Sequence, residues 1–576
     1  MRQAVFVKQH KVYPNAWDGV ALFFVLGLIV LFAWAGHQMT RPYQVGQIIK
    51  IHLDSSYLPA YALHTTLRMF IGLTCSLIFT FTFGTWAAKS KMAERFIVPM
   101  IDILQSVPVL GFLSVTVVGF IALFPGSLLG PECAAVFAIF TSQAWNMALG
   151  FYQTVRSVPG DLVEASDMCQ LSAWQRFWRI EVPFSMPGLL WNMMLSMSAS
   201  WFFVVASEAI TVSNQTIMLP GIGSYIALAI MESNRTAVYN AIITMLIVIF
   251  VYDQMLFRPL VVWSEKFKFE MTASEQFPSS WVLTLFQRVR LLRKVGDTIQ
   301  NGFDFFVNFP WFLRTKTRHM GEVMHPRVHM WFAFILNASL AGAVVLALYI
   351  LVRFIFASVS IGEALHVLYL GSVTGLRVVF LIIFSSIVWV PVGVWVGLRP
   401  RVSGFVQPIV QFLAAFPANL LFPVMVALIV RYSLNVNIWV TPLMILGAQW
   451  YILFNVVAGA SALPKDMLQV ADNLGLKRWL RWRSFILPGI FPYYVTGAIT
   501  AVGGAWNASI VAEVVNWGST HLVATGLGAY IAEYTTIGDF PRIALGIGVM
   551  CLFVLVFNRV FWQPLYVYAQ RRFTLE

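Results

Sequence analysis

Twelve apolar stretches, each long enough to cross a bilayer, limit most tightly what this chain can fold into. They lie at about 18–36, 63–88, 97–124, 133–155, 188–210, 237–257, 329–356, 376–398, 405–430, 436–459, 493–515 and 541–562. A hydrocarbon core of ~30 Å takes about 20 helical residues to span. Only 11% of the 576 residues are charged, against 59% hydrophobic. A soluble domain carries roughly 25% charged residues, so the surface of this chain must face lipid. The first stretch follows Lys8 and Lys11 as a signal peptide would, but its length and the eleven stretches behind it read as an anchor. Cys75, Cys133, Cys169 and Cys551 are scattered without C-x-x-C spacing, which suggests neither a zinc site nor a disulfide framework.

The formal net charge of +13 invites a nucleic-acid reading, which its distribution excludes. Basic residues collect at Lys89, Lys91 and Arg95, at Arg176 and Arg179, through 263–327, at Arg399 and Arg401, at Lys477, Arg478, Arg481 and Arg483, and at Arg571 and Arg572. The alternate loops (37–62, 125–132, 211–236, 357–375, 516–540) are poor in Lys and Arg. This alternation obeys the positive-inside rule and puts both termini in the cytoplasm. The charge is topological.

The chain also repeats itself. A shift of 305 residues aligns Pro159 with Pro464, Asp161 with Asp466, Asp167 with Asp472, Trp174 with Trp479, Arg176 with Arg481 and Pro183 with Pro488. The same shift carries on through Trp201/Trp506, Glu208/Glu513, Gly221/Gly526, Gly223/Gly528 and Pro259/Pro564. Upstream, a shift of 309 pairs Thr65/Thr374, Arg68/Arg377, Trp86/Trp395 and Pro108/Pro417. One register held over about a hundred residues, matching Trp, Pro, Asp and Arg, is a duplication. The expected fold is all-α, with twelve transmembrane helices in two parallel six-helix repeats, 1–262 and 328–576, joined by a basic linker at 263–327. In that linker Arg288, Arg290, Arg293 and Lys294 stand among Trp281, Leu285, Phe286 and Leu291, a pattern suited to an amphipathic helix on the anionic inner leaflet or to a solvated connector.

Each repeat carries one elaborate basic loop, 156–187 and 461–492. Each opens on a Pro and an Asp, which favours a helix start. Gly475 then suits a left-handed helix end. A second helical stretch follows, with Leu476, Trp479, Trp482 and Ile486 in one copy and Leu171, Trp174 and Trp178 in the other, stopped by Pro488 or Pro183. A single such loop is a decorated connection; two in register read as a docking surface used twice.

These residues resemble the "EAA" loop of ABC-importer permeases, roughly E-A-A-x3-G-x9-I-x-L-P. The first copy has Glu164-Ala165-Ser166 and Ile180-Glu181-Val182-Pro183; the second has Gln469-Val470-Ala471, Gly475 and Phe485-Ile486-Leu487-Pro488. The first lacks the Gly, having Gln170 there, and since a left-handed non-Gly residue costs about 1 kcal/mol it is expected to turn differently. Thr65-Leu67-Arg68 also resembles this class, and the block from Trp506 through Ala512-Glu513 to Gly526 and Gly528 most resembles its nitrate/sulfonate/taurine group, in a fused double form.

The resemblance implies a multi-pass subunit of a bacterial or archaeal plasma (inner) membrane that forms the path for a small anion. It implies as partners two cytoplasmic ABC ATPase subunits and an extracytoplasmic solute-binding protein, with ATP and Mg on the ATPases and no cofactor on this chain. No G-x-x-x-x-G-K-[ST] occurs here to cradle phosphates. Asp161, Glu164, Ala165 and Ser166, and Asp466, Gln469, Val470, Ala471 and Gly475, would couple to the ATPases. Charged or bulky substitutions at Ala165 or Ala471 are expected to abolish transport without preventing assembly. For the path the candidates are Arg68, Arg377, Trp201, Glu208, Trp506, Asn507 and Glu513. Ionisable groups near lipid are either paired or functional, so an Arg–Glu structural pair competes with substrate contact. His64, Met193, Met194 and Met197 suggest a metal path, against which stands ordinary packing. A ferric-iron or thiamine permease and a twelve-span secondary transporter are the alternative functions. An intramembrane enzyme would need clustered His, Asp or Glu inside the spans.

Overall fold

A computed structural model describes residues 16–44, 46–47, 49–212, 215–267, 281–309, 326–463, 465–475, 478–518 and 520–573. The chain is an all-α membrane protein built from duplicated repeats. Among the described residues eight helices are long and apolar enough to span a membrane: Ser55–Lys89, Leu129–Arg156, Ala173–Glu208 and Arg235–Ser264 in the first repeat, and Ile361–Gly397, Val436–Ser461, Trp479–Ala512 and Phe540–Ala569 in the second. Two shorter apolar helices, Val25–Met39 and Ala341–Phe356, occupy the places expected for the first span of each repeat.

The remaining two expected spans, 97–124 and 405–430, are not straight. Each is a bent pair: Lys91–Gln105 with Val109–Leu123 at 101°, and Arg401–Ala415 with Ala418–Arg431 at 72°. The cause is local. A residue before proline is pushed out of the helical region, and Val107 (φ −78°, ψ 123°) and Phe416 (φ −71°, ψ 125°) are both extended before Pro108 and Pro417. Counting each pair as one span gives ten among the described residues.

Proline acts differently at the repeated loops. Pro183 and Pro488 were expected to stop the second helical stretch, yet Ala173–Glu208 and Trp479–Ala512 run on through them. In each, a π turn, Phe177–Glu181 or Trp482–Ile486, directly precedes the proline-containing helix. Such a wide turn already interrupts the regular ladder, so the missing proline N–H is lost where it matters least. The same device recurs at Asp253–Phe257 before Pro259 and at Asn558–Trp562 before Pro564.

Among the described residues two β-hairpins interrupt the helices, pairing Ala209–Val212 with Gln215–Met218 and Val514–Trp517 with Thr520–Val523. Each follows one of the repeated glutamates and leads into a short apolar helix, Ile222–Met231 or Leu527–Ile537. The chain packs as two compact units. One comprises Met1–Gln38, Gln153–Trp191 and Val251–Pro326; the other, Met39–Tyr152, Asn192–Phe250 and Arg327–Glu576, holds the main apolar core, in which Trp506, Leu381 and Ile452 are almost wholly buried.

Candidate functional site

The first repeated loop contains the helix Gly160–Met168, with Asp161 in its first turn. Its end does not turn differently from the second copy. Gln170 adopts the left-handed conformation (φ 53°), just as Gly475 does (φ 64°). The Gln170 N–H donates to the Asp167 carbonyl at 3.0 Å and the Leu171 N–H to the Ser166 carbonyl at 3.1 Å. This Schellman closure recovers what the left-handed residue costs. A capping box between Ser172 and Gln175 then starts the next helix. Arg176 Nη1 reaches back to Asp167 Oδ1 at 3.4 Å and ties the two helices together. Outward, Glu164 and Ala165 are exposed and Met168 is 87% exposed; Ser166 is buried.

The second loop repeats the scheme by itself. Its helix runs Lys465–Asn473, the Gly475 N–H donates to the Asp472 carbonyl at 3.0 Å, and Arg481 Nη1 meets Asp472 Oδ1 at 2.6 Å. Asp466 lies in the first turn by its backbone, while Pro464, Leu476 and Lys477 fall outside the described residues. Gln469 and Val470 are exposed, but Ala471 is only 2% exposed. The 305-residue shift makes Ala471 the counterpart of buried Ser166 and Val470 the counterpart of exposed Ala165. A bulky group at Ala471 would therefore strike the chain's own interior rather than a partner, which corrects the expectation for that residue.

The linker touches the first loop. Trp174 Nε1 donates to the Phe306 carbonyl at 3.3 Å, Gln175 Nε2 to Asn308 Oδ1 at 3.0 Å, and Trp178 meets the Phe303 ring edge-on at 5.7 Å. These contacts come from the C-terminal part of the helix Arg290–Val307 and the residue after it. The side chains of Arg288, Arg290, Arg293 and Lys294 are outside what is described.

Four of the seven residues expected along the path, Arg68, Glu208, Arg377 and Glu513, assemble into two polar nodes, the first fully buried and the second with Arg377 partly exposed. Arg68, fully buried, donates from Nη1 to Glu208 Oε1 at 2.7 Å and from Nε and Nη2 to Glu132 at 2.6 and 2.7 Å. Glu208 Oε2 accepts the Gly223 N–H at 2.6 Å, and Thr65 Oγ1 accepts the Ile222 N–H at 3.0 Å. In the second repeat Arg377 Nη1 and Thr374 Oγ1 each donate to Glu513 Oε1 at 2.8 Å, and Glu513 Oε2 accepts the Ala529 N–H at 3.1 Å. The G-x-G motif has a steric reason. A Cβ on Gly221 would lie 2.3 Å from the Glu208 carboxylate, and one on Gly526 2.2 Å from that of Glu513. Each carboxylate thus caps a short helix and neutralises an arginine that lipid would not tolerate alone. Trp201 and Trp506 are each 1% exposed, and Met193 and Met197 are buried as packing.

Of the seven, Asn507 lines a cavity. That cavity, about 40 Å³, has Phe202, Phe203, Phe416, Trp450 and Tyr451 among its walls. Asn507 Oδ1 accepts the Val109 N–H at 2.9 Å, just past the first bend. Asn419 Nδ2, just past the second bend, donates to the Phe202 carbonyl at 3.2 Å. Phe202 and Asn507 are 305 residues apart, so the bend of each repeat holds the equivalent place on the other. Sequence reading missed Glu132, Asn419 and Asn437 because none falls in a matched motif.

A family model described as "Binding-protein-dependent transport system inner membrane component" matches residues 80–257 and again 389–572. The chain is similar to the bicarbonate transport system permease protein CmpB of Synechococcus elongatus, at 29% identity over 147 residues (26% of this chain, 50% of the relative). It is similar to the nitrate import permease protein NrtB of Leptolyngbya laminosa, at 28% over 176 residues (31% and 60%). It is also similar to the glycine betaine/carnitine transport permease protein GbuB of Listeria monocytogenes, at 26% over 185 residues (31% and 58%). The chain spans roughly half the length of the curated relatives that it matches.

Proposed function

This chain belongs to the family of binding-protein-dependent transport system inner membrane components, with two copies fused, and from that premise we propose that it is the membrane subunit of an ATP-driven importer of a small anion. The observation that carries the reading is the twice-built loop: an exposed short helix, a left-handed turn at Gln170 or Gly475, and an Asp–Arg tie to the helix that becomes the next span. A push on such a helix is passed directly into a membrane span. The exposed face of each, around Ala165 and Met168 or Val470 and Leu474, would seat on one cytoplasmic ATPase. The stroke is useful only where that seat binds open and closed ATPase pairs differently. An extracytoplasmic solute-binding protein would deliver the substrate, and the path would open where the bends cross at Asn507 and Phe202.

The anion follows the nitrate and bicarbonate relatives. A second reading, a quaternary-ammonium or zwitterionic substrate, is favoured by the cavity itself: aromatic rings, other apolar residues, Ser198 and the Asn507 amide line it, with no Arg or Lys. The test is reconstitution of the chain with its ATPases in liposomes and a panel of nitrate, bicarbonate, taurine and glycine betaine, each with candidate binding proteins. Anion-stimulated ATP hydrolysis supports the first reading and glycine-betaine stimulation the second. A chain that co-purifies with no ATPase defeats both.

A further inference from the structure

The last span of each repeat ends in a π turn followed by a proline-containing helix, and what lies on that device differs. In the first repeat Asp253 Oδ2 stands 4.0 Å from Arg258 Nε. Gln254 beside it is buried, and its Oε1 accepts the indole N–H of Trp281 at 3.4 Å from the linker helix Trp281–Arg288. The chain supplies its own counter-charge and its own cover. At the same places 305 residues on, Asp253 becomes Asn558, Gln254 becomes Arg559, and Lys266 and Phe267 become Arg571 and Arg572.

Arg559, Arg571 and Arg572 line one open groove of about 840 Å³ with Gln563 and Tyr568, and no carboxylate lines it among the described residues. Arg559 Nη1 donates to the neutral amide of Gln563, at 2.7 Å, and the Arg572 guanidinium sits 5.8 Å from the centre of the Tyr568 ring. The same helix end exposes Val560 (74%) and Phe561 (53%). It lies at the C-terminal end of the apolar helix Phe540–Ala569 and just beyond, and the ends of spanning helices are where headgroups are met.

From this juxtaposition we infer that the groove binds the phosphate of an anionic phospholipid, with its acyl chains against Val560 and Phe561. Guanidinium forks match phosphate oxygens, and basic pockets at the end of a span select acidic headgroups over zwitterionic ones. The lipid gives the second repeat what Asp253 and Trp281 give the first.

The full chain, purified and stripped of lipid, is titrated with dioleoyl-phosphatidylglycerol, dioleoyl-phosphatidylcholine and inorganic phosphate, and bound species are counted by native mass spectrometry. Phosphatidylglycerol is expected to bind at least about tenfold more tightly than phosphatidylcholine, a preference that R559Q/R571Q/R572Q removes. R399Q/R401Q, which neutralises other basic residues, should leave it intact. Should the triple variant misfold, the single variants R559Q and R571Q, at exposed positions, should each lower the preference in part. A preference that survives in the glutamine variants overturns the inference. So does free phosphate binding as tightly as the lipid and displacing it, which would make the groove a soluble-anion site.

Discussion

Asn437 takes from Arg377 at 3.3 Å the place that Glu132 takes on Arg68 at 2.6 Å. Two carboxylates therefore enclose the arginine of the first repeat, whereas a carboxylate and an amide share that of the second. The duplicated nodes are alike in geometry and unlike in charge.

That difference sets their tolerance. Glu208→Gln leaves Arg68 with Glu132, but Glu513→Gln leaves Arg377 with no carboxylate. The second substitution should lower stability by about 1–3 kcal/mol more than the first, read as thermal melting in detergent. Adding Glu132→Gln to Glu208→Gln should erase the difference. Equal melting of the two single variants would count against it.

Gly223 and Gly528 are the least replaceable glycines of the motif. A Cβ there would lie 2.2 Å from the Val205 carbonyl oxygen and 2.4 Å from that of Ser509, so backbone must move. Gly223→Ala or Gly528→Ala should cost at least about 3 kcal/mol and sharply reduce the monodisperse yield. Gly362→Ala, whose nearest neighbour is 3.9 Å away, should not.

On the repeated loops the exposed and buried small residues should separate two phenotypes. Ala165→Asp and Val470→Asp change only the outer face, so the chain should assemble normally while substrate-stimulated ATP hydrolysis falls at least about tenfold, a loss of about 1.4 kcal/mol in coupling. Ala471→Asp buries an unpaired charge and should lower the melting temperature instead. Normal uptake by Ala165→Asp/Val470→Asp would remove the loops from the mechanism.

Asn507→Leu strips the Val109 N–H of its acceptor beside the cavity. An unpaired buried donor costs about 1–3 kcal/mol, so the crossing of bend and span should loosen. The expected readout is a higher ATPase rate without substrate, with Asn507→Asp, which keeps an acceptor, closer to the parent chain.

The repeat, the spans and both loops were legible because their signals are strong and local: long apolar runs, and Trp, Pro and Asp in fixed register. Proline was the ambiguous letter. Pro108 and Pro417 break a span while Pro183 and Pro488 do not, and the difference lies in the π turns before the latter pair. The Arg–Glu partnership could be weighed from sequence as a structural pair, but Glu132 and Asn437 could not be matched. They lie in the region where the shift between repeats changes from 309 to 305 residues. The exposure of Val470 against the burial of Ala471 depends on which face of a nine-residue helix turns inward, something a short polar sequence leaves open.

Phe303 and Phe306 back Trp174 and Trp178, whereas Trp479 in the other copy is 71% exposed. If the loops act as levers in the proposed way, the first is braced by the chain's own joining segment and the second, at Trp479, is not covered in this manner among the described residues. Two identical strokes delivered to such levers would not yield equal travel, and a transporter driven this way would rock with a limp rather than in mirror step.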